Sequence, residues 1–203
     1  METLIIDKIE VTELNIALKE PITISLGTFN SAENIIIKIF ANNGLVGIGE
    51  ASPERNIVGE TQAAGFEIAK FLAAGLKGKD PLAIEERIQD MDRIIQGNPT
   101  IKSAFDMALY DLLAKKAALP LYQLLGGGNT REIYTDMTVY LGSPKKMAEQ
   151  ALAYKNEGFP TIKIKLGTTA EEDIERISTI REAIGLEIPI RIDANQGWDA
   201  VTA

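Results

Sequence analysis

Neither cysteine nor histidine occurs in this 203-residue chain. Without cysteine there is no disulfide framework, thiol nucleophile or thiolate metal site. Without histidine, Ser-His-Asp catalysis, imidazole general bases and His-rich metal centres are excluded. Acid–base chemistry is left to Lys, Asp, Glu or Tyr. A metal would need oxygen donors, which points to Mg²⁺, Mn²⁺ or Ca²⁺. Basic residues are in deficit, 21 Lys and Arg against 29 Asp and Glu, for a net charge of −8. That balance argues against nucleic acid as a partner, and no polybasic run offers itself to a membrane surface. No apolar stretch is long enough to span a bilayer, and the charged start Met1–Lys8 is not a signal peptide. A soluble cytoplasmic protein is expected. With 45% hydrophobic residues, the chain can build one or two domains with a real core.

What is present falls into two rhythms. Residues 3–25 read as extended. A β-hairpin follows, Asn34–Phe40 and Leu45–Glu50 around the turn Asn42-Asn43-Gly44. Helical patterns then cover Glu60–Ala74, Pro81–Gln96 and Thr100–Ala118. Asp80 is expected to cap the second, with Pro81 at its first position. Asp106, Asp111, Lys115 and Lys116 on the third read as a solvated face. Leu121–Leu125 adds a short turn. Gly126-Gly127-Gly128 reads as a helix stop and domain junction, because it follows a helix and lacks the Gly-Lys-Ser/Thr of a phosphate loop. A sheet followed by a helical cluster makes an α+β domain over residues 1–126.

From 127 the pattern alternates. Strands are expected at Ile133–Leu141, Thr161–Gly167 and Ile188–Asn195. Helices are expected from Ser143-Pro144 to Asn156 and from Thr168 to Gly185. This is the βα rhythm of a (β/α) barrel, over residues 127–203. An eight-stranded barrel takes about 200–250 residues. The chain therefore reads as a barrel truncated after about three strands, part of a longer protein.

The segments Thr161-Ile-Lys-Ile-Lys-Leu-Gly167 and Ile188-Pro-Ile-Arg-Ile-Asp-Ala-Asn195 alternate apolar and charged residues. Each strand thus has one apolar and one charged face. As neighbouring parallel strands they would bring Lys163, Lys165 and Asp193 together at their carboxyl ends, where α/β folds place their chemistry. Two adjacent ammonium groups depress each other's pKa, which suits a lysine general base. Asp193 is an oxygen ligand for a hard cation. The same residues also suit a solvated edge strand and an ordinary Asp-Ala-Asn-Gln-Gly turn. Trp198, the only tryptophan, carries no reading by itself.

Several motifs together resemble the enolase superfamily, in its muconate-lactonizing-enzyme branch, and within it the dipeptide epimerases. Gly47-Ile-Gly-Glu-Ala-Ser-Pro53 with Gly59-Glu-Thr61 is similar to the capping-domain loop of those epimerases. Ala104-Phe-Asp-Met-Ala-Leu-Tyr-Asp-Leu-Leu113 and Pro120-Leu-Tyr-Gln-Leu-Leu-Gly-Gly127 resemble the helix leading into the domain junction. Tyr134-Thr-Asp-Met-Thr138 is similar to the first barrel strand. Lys163-Ile-Lys165 and Asp193-Ala-Asn195 match the catalytic lysine pair and the first metal ligand.

The resemblance implies a capping domain followed by a modified (β/α)7β barrel. It implies Mg²⁺-dependent inversion of a dipeptide α-carbon by 1,1-proton transfer through a metal-stabilised enediolate. Lys165 would move the proton, Lys163 would hold the substrate carboxylate and tune Lys165, Asp193 would bind metal, and Thr135 would contact substrate. Epimerases acting on Ala-Glu usually carry an arginine in the early loop. The stretch Ile22–Ser31 has none, and the first arginine is Arg55, so an apolar or small second residue is expected. If the chain is the whole molecule, no activity is expected, because the metal would be under-ligated. The rival readings are a cycloisomerase or o-succinylbenzoate synthase of the same branch, and a non-catalytic half-barrel assembly module. A homo-oligomer is compatible with the resemblance.

Overall fold

The computed structural model describes residues 4–128 and 132–203. Thr3, the start of the first expected extended stretch, lies outside them. The described residues divide into two compact units. One holds the flanks of the first two strands and everything through the glycines. The other holds Leu18–Ser31 and the alternating second half.

Strands β1 (Ile6–Ile24), β2 (Gly27–Ala41) and β3 (Val46–Ala51) form a sheet in the order β1-β2-β3, of which the parts outside Leu18–Ser31 belong to the first unit. β2 and β3 pair antiparallel, from Ile35 opposite Ala51 to Phe40 opposite Val46. The expected turn closes them: Gly44 has φ +86° and its N–H reaches Ala41 O at 2.9 Å. Ile35, Ile37, Ile39 and Ala41 alternate inward as a period-2 strand requires. They pack on α1 (Gln62–Leu76), α2 (Ile84–Ile94) and α3 (Pro99–Lys116), around the fully buried Phe105.

The start of the second helix differs from the sequence expectation. α2 begins at Ile84, not Pro81. The Asp80 carboxylate accepts the Leu82 N–H at 2.8 Å, so Asp80 and Pro81 build a turn ahead of the helix instead of capping it. The expected strand Leu45–Glu50 forms as β3, which runs to Ala51, so most of the Gly47–Pro53 motif is strand. Its glycines serve packing. A Cβ on Gly47 would stand 2.0 Å from Ala108 O, and one on Gly49 would stand 1.9 Å from Ala104 O. Only hydrogen there lets α3 lie against the strand. Asp111 and Lys115 lie on the solvated face as expected, but they also bind the neighbouring strand. Asp111 accepts Ile48 N–H at 2.8 Å and Lys115 donates to Val46 O at 2.7 Å, occupying polar groups of β3, which stands at the sheet's edge.

Gly49→Ala should therefore destabilise the fold by about 3 kcal/mol, the upper end for overpacking, because a backbone carbonyl cannot swing aside. Gly128→Ala, with nothing within 4 Å of the added carbon, serves as control. Urea unfolding of the two variants makes the comparison, and equal midpoints would refute it.

The Gly59-Glu60-Thr61 motif caps helices. The Thr61 hydroxyl accepts Ala64 N–H at 3.3 Å at the start of α1, and the Glu60 carboxylate accepts Thr100 N–H at 3.3 Å in the first turn of α3. The short helix α4 (Leu121–Leu124) ends as expected. Gly126, at φ +85°, sends its N–H to Gln123 O, and Gly127 sends its own to Tyr122 O at 2.7 Å, a Schellman closure.

In the second unit β4 (Met137–Val139), α5 (Pro144–Asn156), β5 (Ile162–Lys165), α6 (Ala170–Ile184) and β6 (Ile190–Asp193) make two successive βαβ steps. The sheet order is β4-β5-β6, all parallel. Ser143 caps α5 ahead of Pro144, and Thr169 caps α6. Val139, Ile162, Ile164 and Leu166 bury their side chains with Met147, Ala151, Ile180 and Ile184 of the helices. This is the three-stranded start of a barrel. β4 is shorter than Ile133–Leu141 because its partner is short: Met137 pairs with Ile162, where β5 begins. Among the described residues no helix is long and apolar enough to cross a membrane.

Candidate active site

β5 is buried on one side by Ile162 and Ile164, both at 0% exposure, which turns Lys163 and Lys165 to the opposite face. Register places Lys163 beside Arg191 and Lys165 beside Asp193. The Asp193 Oδ2 takes both ammonium groups, Lys163 Nζ at 2.9 Å and Lys165 Nζ at 2.8 Å. Its Oδ1 accepts the Asn195 N–H at 2.9 Å. The Lys165 bond lowers the Asp193 carboxyl most; partial burial opposes it, and Lys163 and the Asn195 amide add to the lowering. The group therefore ionises well below the usual carboxylate range. Lys165, with a side chain 12% exposed, also donates to Asn195 Oδ1 at 2.7 Å. Asn195 can do this because it sits at φ +45°, a left-handed conformation that asparagine tolerates better than most residues.

The expected trio of Lys163, Lys165 and Asp193 is thus brought together, with Asn195 as a fourth member. Arg191, beside Lys163 in register, pairs with Asp136 and is 65% exposed. Thr135 is not brought in. It lies two residues before β4, is exposed, and its hydroxyl donates to Asp136 O at 3.1 Å. The β4 residue that register sets beside Lys163 is Thr138. Strand-end position decides this, and the shortening of β4 moved Thr135 off the strand.

The structure adds two features that the sequence did not suggest. The first is the end of the β1–β2 hairpin, which belongs to the second unit. Leu141, after β4, donates its N–H to Thr23 O at 2.9 Å. The Ser25 hydroxyl lies 2.8 Å from Ala194 O and 2.9 Å from Asn195 O, its one proton shared between two carbonyls. A Cβ on Gly167, at φ +110°, would meet Ala194 O at 2.3 Å and Ser25 Cβ at 2.9 Å. Glycine is what allows the hairpin and the loops after β5 and β6 to close on each other.

The second is Asp173, buried in the first turn of α6. Burial pushes its carboxyl up, but the Gly167 amide, the Trp198 indole, the Arg176 guanidinium and the Thr168 amide outweigh it and leave the pKa below the ordinary value.

Asp193 is a hard oxygen donor at a strand's carboxyl end, the kind of group a small divalent cation takes. Among the described residues no three Asp, Glu, His or Cys side chains cluster to hold a metal ion. The donor chemistry fits such a cation with Asp193 as one ligand; a complete set needs further oxygen atoms.

Comparison with known proteins follows the same lines. Residues 7–126 match the mandelate racemase / muconate lactonizing enzyme N-terminal domain, and residues 146–203 match the enolase C-terminal domain-like family. The chain is 48% identical over 200 residues to a D-Ala-D/L-Ala epimerase from Cytophaga hutchinsonii, covering 98% of this chain and 54% of the relative. A crystal structure of the dipeptide epimerase from that organism, complexed with Mg and D-Ala-L-Val, superposes with a TM-score of 0.96. A hydrophobic dipeptide epimerase from Enterococcus faecalis is 44% identical over 98% of this chain and 56% of its own. A crystal structure of a dipeptide epimerase from that organism, complexed with Mg and L-Leu-L-Tyr, gives a TM-score of 0.92. An L-Ala-D/L-Glu epimerase from Bacillus subtilis is 39% identical, over 97% of this chain and 55% of its own. The chain spans about half the length of the curated relatives it matches.

Proposed function

The chain belongs to the mandelate racemase / muconate lactonizing enzyme family of the enolase superfamily, and on that premise we propose that the protein is a Mg²⁺-dependent dipeptide epimerase. The observation that carries this reading is the convergence of Lys163, Lys165 and Asn195 on the Asp193 carboxylate at the carboxyl ends of adjacent parallel strands. In this reading Lys165 serves one face of the substrate, removing the α-proton from one epimer or delivering a proton to that face when the other epimer reacts, while a second base serves the opposite face. Its place is fixed by Asn195 Oδ1 and by the buried Ile164 and Leu166 on either side, so little reorganisation is needed. Lys163 holds a substrate carboxylate oxygen and offsets the negative charge that grows there as the proton leaves. Asp193 is one ligand of the Mg²⁺, which would supply positive charge beside that carboxylate. Thr138, level with Lys163, faces the same space as a polar contact.

The substrate is a dipeptide with a small or apolar second residue. Two lines support this. No arginine lies in Leu18–Ser31, the hairpin end that belongs with the strand ends. The relatives named for Ala-Ala and hydrophobic dipeptides also share more identity with this chain than does the Bacillus subtilis Ala-Glu enzyme.

The test is α-proton exchange in D₂O by the full-length gene product, with a dipeptide panel and either Mg²⁺ or chelator. Metal-dependent deuterium uptake is expected at one α-carbon of Ala-Ala and Ala-Val-type dipeptides, well above Ala-Glu. A preference for Ala-Glu would overturn the substrate class. No uptake on any dipeptide would favour cycloisomerase or synthase chemistry at the same lysines.

A further inference from the structure

Asp173 is 3% exposed, and the proton transfer proposed above makes no use of it. Its Oδ2 accepts the Gly167 N–H at 2.8 Å, the Thr168 N–H at 3.2 Å and the Trp198 indole N–H at 2.9 Å. Its Oδ1 accepts the Thr168 hydroxyl at 3.1 Å and pairs with Arg176 at 2.7 Å. Arg176 in turn donates from Nε to Gly142 O at 3.2 Å. Gly142 follows β4, Gly167 and Thr168 follow β5, and Trp198 follows β6. One buried carboxylate therefore gathers the chain leaving all three strands, at the end that carries Lys165 and Asp193.

A simple helix cap would account for less than this. Thr169 already caps α6, accepting Glu172 N–H at 3.3 Å. Amides of Gly167 and Thr168 are the local donors such a cap would bind. The indole of Trp198, 25 residues on in sequence, and the Arg176 bridge to Gly142 reach beyond the helix. Steric coupling runs the same way. Gly197, beside Trp198, lies so close to Gly167 that a Cβ on it would meet Gly167 O at 2.3 Å. Leu166 N–H, between Lys165 and Gly167, donates to Asp193 O at 3.0 Å.

We infer that Asp173 is a positioning residue of this site, holding the loop after β5 against the loop after β6 and so setting where Lys165 Nζ stands relative to Asp193 and Asn195. The kinetic consequence rests on the epimerase reading; the structural one does not.

The experiment compares wild type and Asp173→Asn in the full-length gene product. Two signals are followed by NMR. One is the Trp198 indole N–H, assigned as the resonance lost in Trp198→Phe. The other is the Lys165 ammonium, assigned as the resonance lost in Lys165→Met. Asparagine keeps the volume but puts a donor where Asp173 accepts. The indole resonance should shift, and the Lys165 protons, now held by two acceptors, should exchange faster with water. In the exchange assay kcat should fall about 10²-fold with KM nearly unchanged, the cost of a misplacement of about 1 Å at the reacting group. A shifted indole with unchanged Lys165 exchange would overturn the inference and leave Asp173 a local staple. Should no dipeptide be turned over, the epimerase reading fails while the two NMR signals still decide this one. If Asp173→Asn does not fold, Trp198→Phe removes one donor and leaves the carboxylate its others. Faster Lys165 exchange in that variant sustains the inference, and unchanged exchange refutes it.

Discussion

Lys165→Met is expected to abolish interconversion of the two epimers, with at least a 10³-fold loss, within the range of about 10²–10⁴ for removing a positioned general base. Methionine keeps the length and apolar stem, so Ile164 and Leu166 stay buried and the strand stays paired. What is lost is the amine that can accept a proton. The expected result has a stereochemical signature. Deuterium uptake should vanish for the epimer whose α-hydrogen faces Lys165. Uptake by the opposite epimer can persist, because a second base must serve the other face in any 1,1-proton transfer. Lys163→Met should behave differently. Its ammonium shares Asp193 Oδ2 with Lys165, 2.9 Å away, whereas Lys165 also donates to Asn195 Oδ1. It should weaken uptake of both epimers together, as loss of a carboxylate contact would. Chiral chromatography of the products and mass gain in D₂O separate the two patterns. If Lys165→Met slows both epimers equally, the assignment of one lysine to one face is wrong.

How far these residues could be foreseen depended on the range of the interaction. The hairpin turn at Gly44 and the glycine stop at Gly126 follow from local chemistry, and each stands where the pattern put it. The lysine pair and Asp193 were legible for the same reason: a period of two in neighbouring parallel strands fixes which side chains share a face. Where a partner decides, the sequence was silent. β4 starts where β5 starts, so Thr135 fell outside it and Thr138 took the place beside Lys163. Asp111 and Lys115 look like any charged helical surface until β3 presents polar backbone groups to them. Ser25 meets Ala194 across 169 residues of sequence, and nothing near Ser25 marks it. Asp173 is one acid among three in the first turn of α6, where acids are common because they suit the helix dipole. Only the arrival of Trp198 and Arg176 sets it apart.

Asp193→Asn should cost the site twice. The first loss is metal binding. Altering a residue that merely orients a metal ligand typically costs 10–100-fold in affinity, so removing a carboxylate ligand itself should weaken Mg²⁺ binding by at least about 10²-fold. The two lysines sharpen this effect. With Asp193 present, their two positive charges meet one negative charge within 3 Å, Lys163 Nζ at 2.9 Å and Lys165 Nζ at 2.8 Å. With asparagine, a divalent cation would approach two ammonium groups with no anion between them. The second loss is stability. Removing one partner of a buried pair leaves the other charges uncompensated, at about 3–5 kcal/mol when burial is complete. The Asp193 side chain is 30% exposed, so solvent screening reduces the expected cost to roughly 1–2 kcal/mol. The two effects are separable. Urea unfolding in chelator reads the second alone, and calorimetric Mg²⁺ titration of the folded variant reads the first. Asp193→Asn with Lys163→Met should recover part of the stability, since one of the stranded charges is gone, while Mg²⁺ binding stays lost. Recovery of neither would mean that the lysines are indifferent to Asp193. Retained Mg²⁺ binding in the single variant would remove Asp193 from the metal's ligands.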